Sequence, residues 1–174
     1  MKRSAIYAGT FDPITLGHFD LLHRASLVFD KILVAVAECP RKSTMFSVKD
    51  RCEMVRAATA DLGNVKIKPF RGLLVDFARN NGIHVLVRGL RAFSDFEYEF
   101  QMALTNRQLA PDVETLFLMP NEAYSYLSSS TVREIVELGG NVRGFVPPCV
   151  LPFVKKYAGR AGRSSSGCGQ RTRD

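Results

Sequence analysis

An α/β fold is what this sequence predicts: a single domain on a parallel, doubly wound sheet of five strands with helices on both faces. Three observations predict it. Apolar, β-branched runs alternate with segments of helical periodicity five times along the chain. The 174 residues, 46% of them hydrophobic, suffice for one full core and are too few for two. The residues best suited to bind anions cluster just after the apolar runs, and sheets of this Rossmann-like kind take ligands beyond the carboxyl ends of their strands.

Taken in order, Ser4 to Ala8 is short and mostly apolar and reads as the first strand, followed by a helix whose apolar spacing runs from Phe19 to Phe29. Lys31 to Ala37 is the second strand, and Ser47 with Asp50 three residues later opens the next helix. Val65 to Pro69 precedes a helix over Leu74 to Asn81. His84 to Arg88 precedes one over Ser94 to Leu109, with Phe96, Phe100, Ala103 and Leu104 as its expected core face. Thr115 to Met119 leads to a helix over Thr131 to Leu138, for which Thr131 and Glu134 match a capping box. Pro147 to Tyr157 is expected to form a last helix. Gly159 to Asp174 is rich in Gly, Ser and Arg without apolar periodicity, so the folded domain is expected to span 1–158 and the rest, 159–174, to be a disordered basic tail.

Composition excludes several classes. No run approaches the roughly 18 apolar residues of a membrane span, and Gly9, Asp12 and Pro13 interrupt any N-terminal signal core, so a cytoplasmic protein without a membrane partner is expected. Cys39, Cys52, Cys149 and Cys168 lie far apart with no C-x-x-C pair and are read as free thiols; no protein metal site is expected. The net charge is +7, of which four tail arginines against Asp174 supply +3. The remaining +4 suits a polyanionic small molecule as well as RNA, and without a basic run or RNA-binding signature in the body no nucleic-acid partner is expected.

Two segments carry the chemistry. Ala8-Gly9-Thr10-Phe11-Asp12-Pro13-Ile14-Thr15-Leu16-Gly17-His18 joins a strand to a helix, where glycines allow close approach and the helix start offers N–H groups to an anion. His18 shares a stripe with Leu22, Ala25 and Phe29, which points it inward. Tyr124-Ser125-Tyr126-Leu127-Ser128-Ser129-Ser130-Thr131-Val132-Arg133 repeats the arrangement with serial hydroxyls, a nest for phosphate oxygens, and Arg133 as an adjacent cation. Alone, the first reads equally as a half-buried histidine beside a glycine turn, and the second as a polar capping loop. Lys42, between Arg41 and Ser43, reads by itself as a solvated lysine, whereas Arg88 ends an apolar run and must meet a partner or water. Glu99, near Asp95 and Glu97, reads equally as solvated; His23 and His84 match no motif.

Together, Thr15-x-Gly17-His18 and Ser128-Ser129-Ser130-x-x-Arg133 resemble the nucleotidyltransferase superfamily. The resemblance is closer still to the bacterial phosphopantetheine adenylyltransferases and runs from Arg3 to about Tyr157. It takes in Tyr7-x-Gly9-Thr10-Phe11-Asp12-Pro13, Lys42, Val87-Arg88-Gly89-Leu90-Arg91, Asp95-Phe96-Glu97-Tyr98-Glu99 and Asn106-Arg107. Ala8 stands where the family commonly has proline, and Tyr124 where tryptophan is common. The resemblance implies transfer of AMP from ATP to 4′-phosphopantetheine, giving dephospho-coenzyme A and pyrophosphate. It further implies magnesium bound with ATP, a homohexamer, and feedback inhibition by coenzyme A. His18, Thr10, Lys42, Arg91 and Ser129 would be catalytic. Thr10, Lys42, Leu74 and Arg88 would bind the acceptor. Thr10, Phe11, His18, Gly89, Leu90, Arg91, Glu99, Tyr124, Ser125, Tyr126, Leu127, Ser128, Ser129 and Ser130 would bind ATP. A nucleotidyltransferase acting on nicotinamide mononucleotide or glycerol phosphate is the nearest rival; a nucleotide-sensing or RNA-binding protein without turnover is the rival from another class. Lys42, the run Arg88 to Arg91 and Asp95 to Glu99 favour the phosphopantetheine enzyme over the former.

Overall fold

The computed structural model describes residues 3–38, 43–90 and 93–165. Cys39, Lys42, Arg91 and Cys168 therefore lie outside the described residues. The five strands are β1 (Ser4–Gly9), β2 (Lys31–Ala37), β3 (Val65–Phe70), β4 (Val85–Gly89) and β5 (Glu114–Leu118), all parallel in the order β3-β2-β1-β4-β5. Strand order thus reverses between β1 and β4, and the crevice at that switch point opens at their carboxyl ends.

Side chains of successive strand residues point to opposite faces, and both faces are covered. On one, Ala5, Tyr7, Ile32, Val34, Val36 and Val87 pack against α1 (Leu16–Val28), α2 (Val48–Ala58) and α5 (Ser129–Glu137). On the other, Ile6, Ala8, Leu33, Ala35 and Leu86 pack against Val75 and Ala78 of α3 (Leu74–Asn80) and against Ala110 and Val113, which follow α4 (Phe93–Leu109). This is the doubly wound arrangement the alternating pattern predicts. The buried central strands read as continuous apolar runs, whereas edge strand β3 interposes Lys66, Lys68 and Pro69, which blunt its open side. Of the four cysteines, Cys52 and Cys149 are free thiols, and burial pushes both up from their ordinary values.

Three expectations need correction. The face of α4 expected to be core is open: Phe96, Phe100 and Leu104 are each about half exposed, with the two phenylalanine rings stacked at 5.6 Å. Periodicity identifies an apolar face but not whether the same chain covers it. The first turn of α5 is capped by Ser128, whose Oγ accepts from Thr131 N–H at 3.0 Å, rather than by Thr131. The last helix, α6 (Leu151–Ser165), continues through Gly159, where an irregular tail was expected to begin. Once Val154 anchors the helix in the core, each added residue only propagates it, and arginine and alanine are good helix formers.

Gly89 ends β4 where a Cβ would lie 2.3 Å from Leu21 Cδ1 of α1. Gly89→Ala is accordingly expected to lower stability by about 1–3 kcal/mol through overpacking, measured as a fall in denaturant midpoint at unchanged slope. Adding Leu21→Val should recover part of that loss; an unchanged midpoint in Gly89→Ala would show that Leu21 moves aside freely.

Candidate active site

The turn after β1 sets the geometry. Thr15 is the N-cap of α1: its Oγ1 accepts from His18 N–H at 3.3 Å, while the Thr15 N–H donates back to His18 Nδ1 at 3.1 Å. This is a capping box in which an imidazole takes the place usually held by Glu or Gln. A backbone N–H can only donate, so Nδ1 is the unprotonated nitrogen and the neutral ring carries its proton on Nε2. Thr15 is buried, and the spacing of Thr-x-Gly-His thereby fixes both the tautomer and the aim of His18.

Phe11 locks the same turn from below. It adopts φ 51°, unusual for a bulky side chain, and its buried ring meets Tyr7 at 5.5 Å and His18 at 5.2 Å, edge-on in both cases. A Cβ on Gly9 would stand 2.9 Å from Phe11 Cζ, so only glycine fits beneath the ring. The next residue, Asp12, is 1% exposed and accepts from Phe46 N–H and Met45 N–H, each at 2.9 Å. Arg133 of α5 donates to the Asp12 carbonyl at 3.0 Å and lies 3.5 Å from its carboxylate. Arg133 also reaches Ser130 Oγ at 3.2 Å, and Ser129 Oγ donates to the Pro13 carbonyl at 2.8 Å. The early and late motifs are thus bound to each other.

Across the switch point, Arg88 at the end of β4 donates Nη1 to the Ala8 carbonyl at 2.7 Å and grips Glu99 of α4 through Nε, at 2.7 Å, and Nη2. Burial on its own would lower the Arg88 pKa, but the Glu99 carboxylate outweighs it and holds the guanidinium above its ordinary value. These segments enclose a cleft of about 480 Å³ at the carboxyl ends of the strands, with His18, Arg88, Arg133 and three consecutive serines on its walls. Among the described residues its two acidic lining residues, Asp12 and Glu99, are already engaged by N–H donors. What remains suits a polyanion: hydroxyls, helix starts at Thr15 and Ser128, and guanidinium groups.

Comparison with known proteins decides the family. The cytidylyltransferase-like family model matches residues 6–135. A phosphopantetheine adenylyltransferase of Methylococcus capsulatus is 52% identical over 91% of this chain and 99% of its own length. One from Moorella thermoacetica is 54% identical over 88% of this chain and 96% of its own. The chain belongs to the phosphopantetheine adenylyltransferases, within the cytidylyltransferase-like family. A solved structure described as a putative nicotinate-nucleotide adenylyltransferase from Vibrio parahaemolyticus, 20% identical, superposes with a TM-score of 0.65 over 93% of this chain and 94% of that one, a likeness of fold.

Of the residues the family resemblance singles out, Thr10, Phe11, His18, Leu74, Arg88, Gly89, Glu99 and Ser128 to Ser130 line the cleft. Lys42 and Arg91 lie outside the described residues. Leu90 and Tyr124 to Leu127 are not among the residues that line the cleft: the Leu90 N–H bonds the Leu118 carbonyl at 3.2 Å, the Tyr124 carbonyl faces Gly17, Ser125 Oγ donates to the Glu122 carbonyl, Tyr126 is 67% exposed, and Leu127 is core. Sequence reasoning missed the fastening roles of Asp12 and Arg51. Arg51 falls on the apolar stripe of α2 beside Val48, Cys52 and Val55, and a cation within an apolar stripe was the available signal.

The Asp12 carboxylate ties down two backbone N–H groups and faces Arg133, so its removal strands both N–H groups and takes the counter-charge from Arg133, which keeps its bond to the carbonyl of residue 12. Asp12→Ala is expected to cost about 3–5 kcal/mol, as for other broken buried charge pairs, read from chemical denaturation; a loss under about 1 kcal/mol, the size of a surface substitution or less, would show that the loop over residues 43–47 is held by other contacts.

Proposed function

We propose that this chain is the adenylyltransferase that moves AMP from ATP to 4′-phosphopantetheine, giving dephospho-coenzyme A and pyrophosphate, a step of coenzyme A synthesis. The observation that carries the reading is one cleft holding an oriented His18, Thr10, the serine-rich start of α5 and Arg88, in a chain about half identical to enzymes of that name over their full length. Such a transfer needs no covalent protein intermediate; positioning and neutralisation of charge on the phosphoryl oxygens lower its barrier.

The acceptor phosphate attacks the α-phosphorus of ATP in line, the bond to the bridging oxygen breaks, and pyrophosphate leaves with that electron pair. His18 Nε2–H, aimed by the Thr15 capping box, donates to the α-phosphate oxygens as their charge rises, with Thr10 beside it. Ser128 to Ser130 and Arg91 hold the β- and γ-phosphates, Gly89 lies along the nucleotide, and Lys42 and Arg88 hold the acceptor phosphate, with Leu74 along the pantetheine arm. Magnesium fits this site as an ion carried by the triphosphate, because both acidic lining residues already accept hydrogen bonds; bound there, it neutralises phosphate charge. Coenzyme A, sharing the acceptor arm, would inhibit by occupying the same cleft.

A homohexamer working in the cytoplasm completes the proposal. No helix among the described residues is long and apolar enough to cross a membrane. Phe96, Phe100 and Leu104 on α4, with Leu116 and Met119 at the β5 edge, form an exposed apolar surface suited to a second copy. The segment beyond Ala158 is proposed to be dispensable for catalysis.

Pyrophosphate release measured with ATP and a panel of acceptors tests the assignment. Turnover with 4′-phosphopantetheine is expected, and a preference for nicotinamide mononucleotide or glycerol phosphate would overturn it. His18→Ala should lower kcat by roughly 100-fold or more, the cost of one oxyanion donor at about 2.7–4 kcal/mol, while ATP affinity stays within a few-fold. Near-normal turnover in that variant would remove His18 from the reaction. Light scattering at micromolar concentration should give about six times 19.4 kDa, and a fully active monomer would refute the assembly.

A further inference from the structure

Arg51 is 2% exposed, in the first turns of α2, and belongs to no motif of the sequence. Its Nη1 donates to the Thr10 carbonyl at 2.7 Å and to the Ala37 carbonyl at 2.8 Å, and its Nε to the Phe46 carbonyl at 3.2 Å. Those three carbonyls belong to three different segments: the turn after β1, the end of β2, and the loop leading into α2. Among the described residues no carboxylate lies within ion-pair distance of the guanidinium. Asp12, the nearest buried acid in sequence to Thr10, spends its oxygens on Met45, Phe46 and Arg133.

A buried cation held, among the described residues, by carbonyl dipoles alone is costly, and an apolar side chain of similar length would fill the same space without desolvation. Stability therefore gives a poor account of an arginine here. The geometry gives a better one. Only a planar fork on a long stem joins three carbonyls arriving from different directions, and lysine, with one compact head, cannot span them in the same way. Thr10 and Ala37 both line the cleft, so the fork sets the floor on which the reacting phosphates would lie. Its charge, lacking a protein counter-ion among the described residues, adds positive potential under that floor.

We infer that Arg51 is a positioning residue for phosphoryl chemistry in this cleft: it fixes the backbone at Thr10 and Ala37 against the α2 entry loop and supplies a buried positive charge complemented by the bound polyanion. The inference rests on the proposed adenylyl transfer for its kinetic readout only, since binding of inorganic pyrophosphate reports on the cleft independently.

Arg51→Lys and Arg51→Met provide the test, each measured for melting temperature, pyrophosphate affinity by calorimetry, and kcat and KM for ATP and 4′-phosphopantetheine per folded enzyme. Lysine keeps the charge and loses the fork. Pyrophosphate affinity is therefore expected within about threefold of wild type in Arg51→Lys and at least tenfold weaker in Arg51→Met. Misplacement of about 1 Å is worth on the order of 100-fold in rate, so kcat should fall roughly tenfold in Arg51→Lys and about 100-fold in Arg51→Met, with the KM values moving much less. Melting temperatures that fall while kcat, KM and pyrophosphate affinity stay at wild-type values would reduce Arg51 to a structural residue and overturn the inference, as would failure of both variants to fold. Should wild type bind pyrophosphate in an Arg51-dependent way yet not turn over 4′-phosphopantetheine, the proposed reaction fails and the role of Arg51 in anion binding stands.

Discussion

The cleft depends on one buried carboxylate. Asp12, 1% exposed, faces two backbone N–H groups of the loop before α2 and the guanidinium of Arg133 in α5. Burial of a charge is tolerable only where its hydrogen-bonding capacity is met, and Asp12 meets it with groups from two segments distant in sequence from its own. Remove that centre and the turn after β1, the entry to α2 and the start of α5 lose their common anchor. The parallel sheet brings those segments to one edge; Asp12 and Arg51 fix them there at hydrogen-bond precision.

Electrostatic design follows from the same anchoring. The two acids of the cleft are consumed by internal donors, and the starts of α1 and α5 contribute the positive ends of their dipoles. Both acids are thereby neutralised within the wall, which leaves the dipole ends of α1 and α5 as positive potential that no lining carboxylate among the described residues opposes. The Thr15 capping box belongs to this scheme too, because it turns a common helix-starting device into the element that aims an imidazole.

Much of this was legible in the sequence, for identifiable reasons. β2 occupies the residues its apolar run predicted, Lys31–Ala37, because a central parallel strand is buried on both faces and shows an unbroken signal. Thr10, His18 and Ser128 to Ser130 were legible because strand-to-helix turns have recognisable residue types, and these turns converge in any doubly wound sheet. Asp12 was not, since a buried carboxylate and a solvated one have the same letter and tertiary contacts separate them, whereas Arg51 left only the faint trace of a cation within the apolar stripe of α2. The α4 face misled for the converse reason: Phe96, Phe100 and Leu104 have core periodicity but no cover within their own chain.

Arg88 shows how far pre-organisation goes. A guanidinium has five N–H groups, and three of them are committed here, two to Glu99 and one to the Ala8 carbonyl. The carboxylate and the carbonyl together fix the plane of the fork at two points. An arginine on a flexible stem would surrender about 2 kcal/mol of rotamer entropy on capturing a ligand; one held by Glu99 has given up most of that freedom during folding. Glu99 and the Ala8 carbonyl therefore position Arg88 at the cleft wall, and the partially buried ion pair, of modest worth as a source of stability, is best understood as a means of holding a cation still.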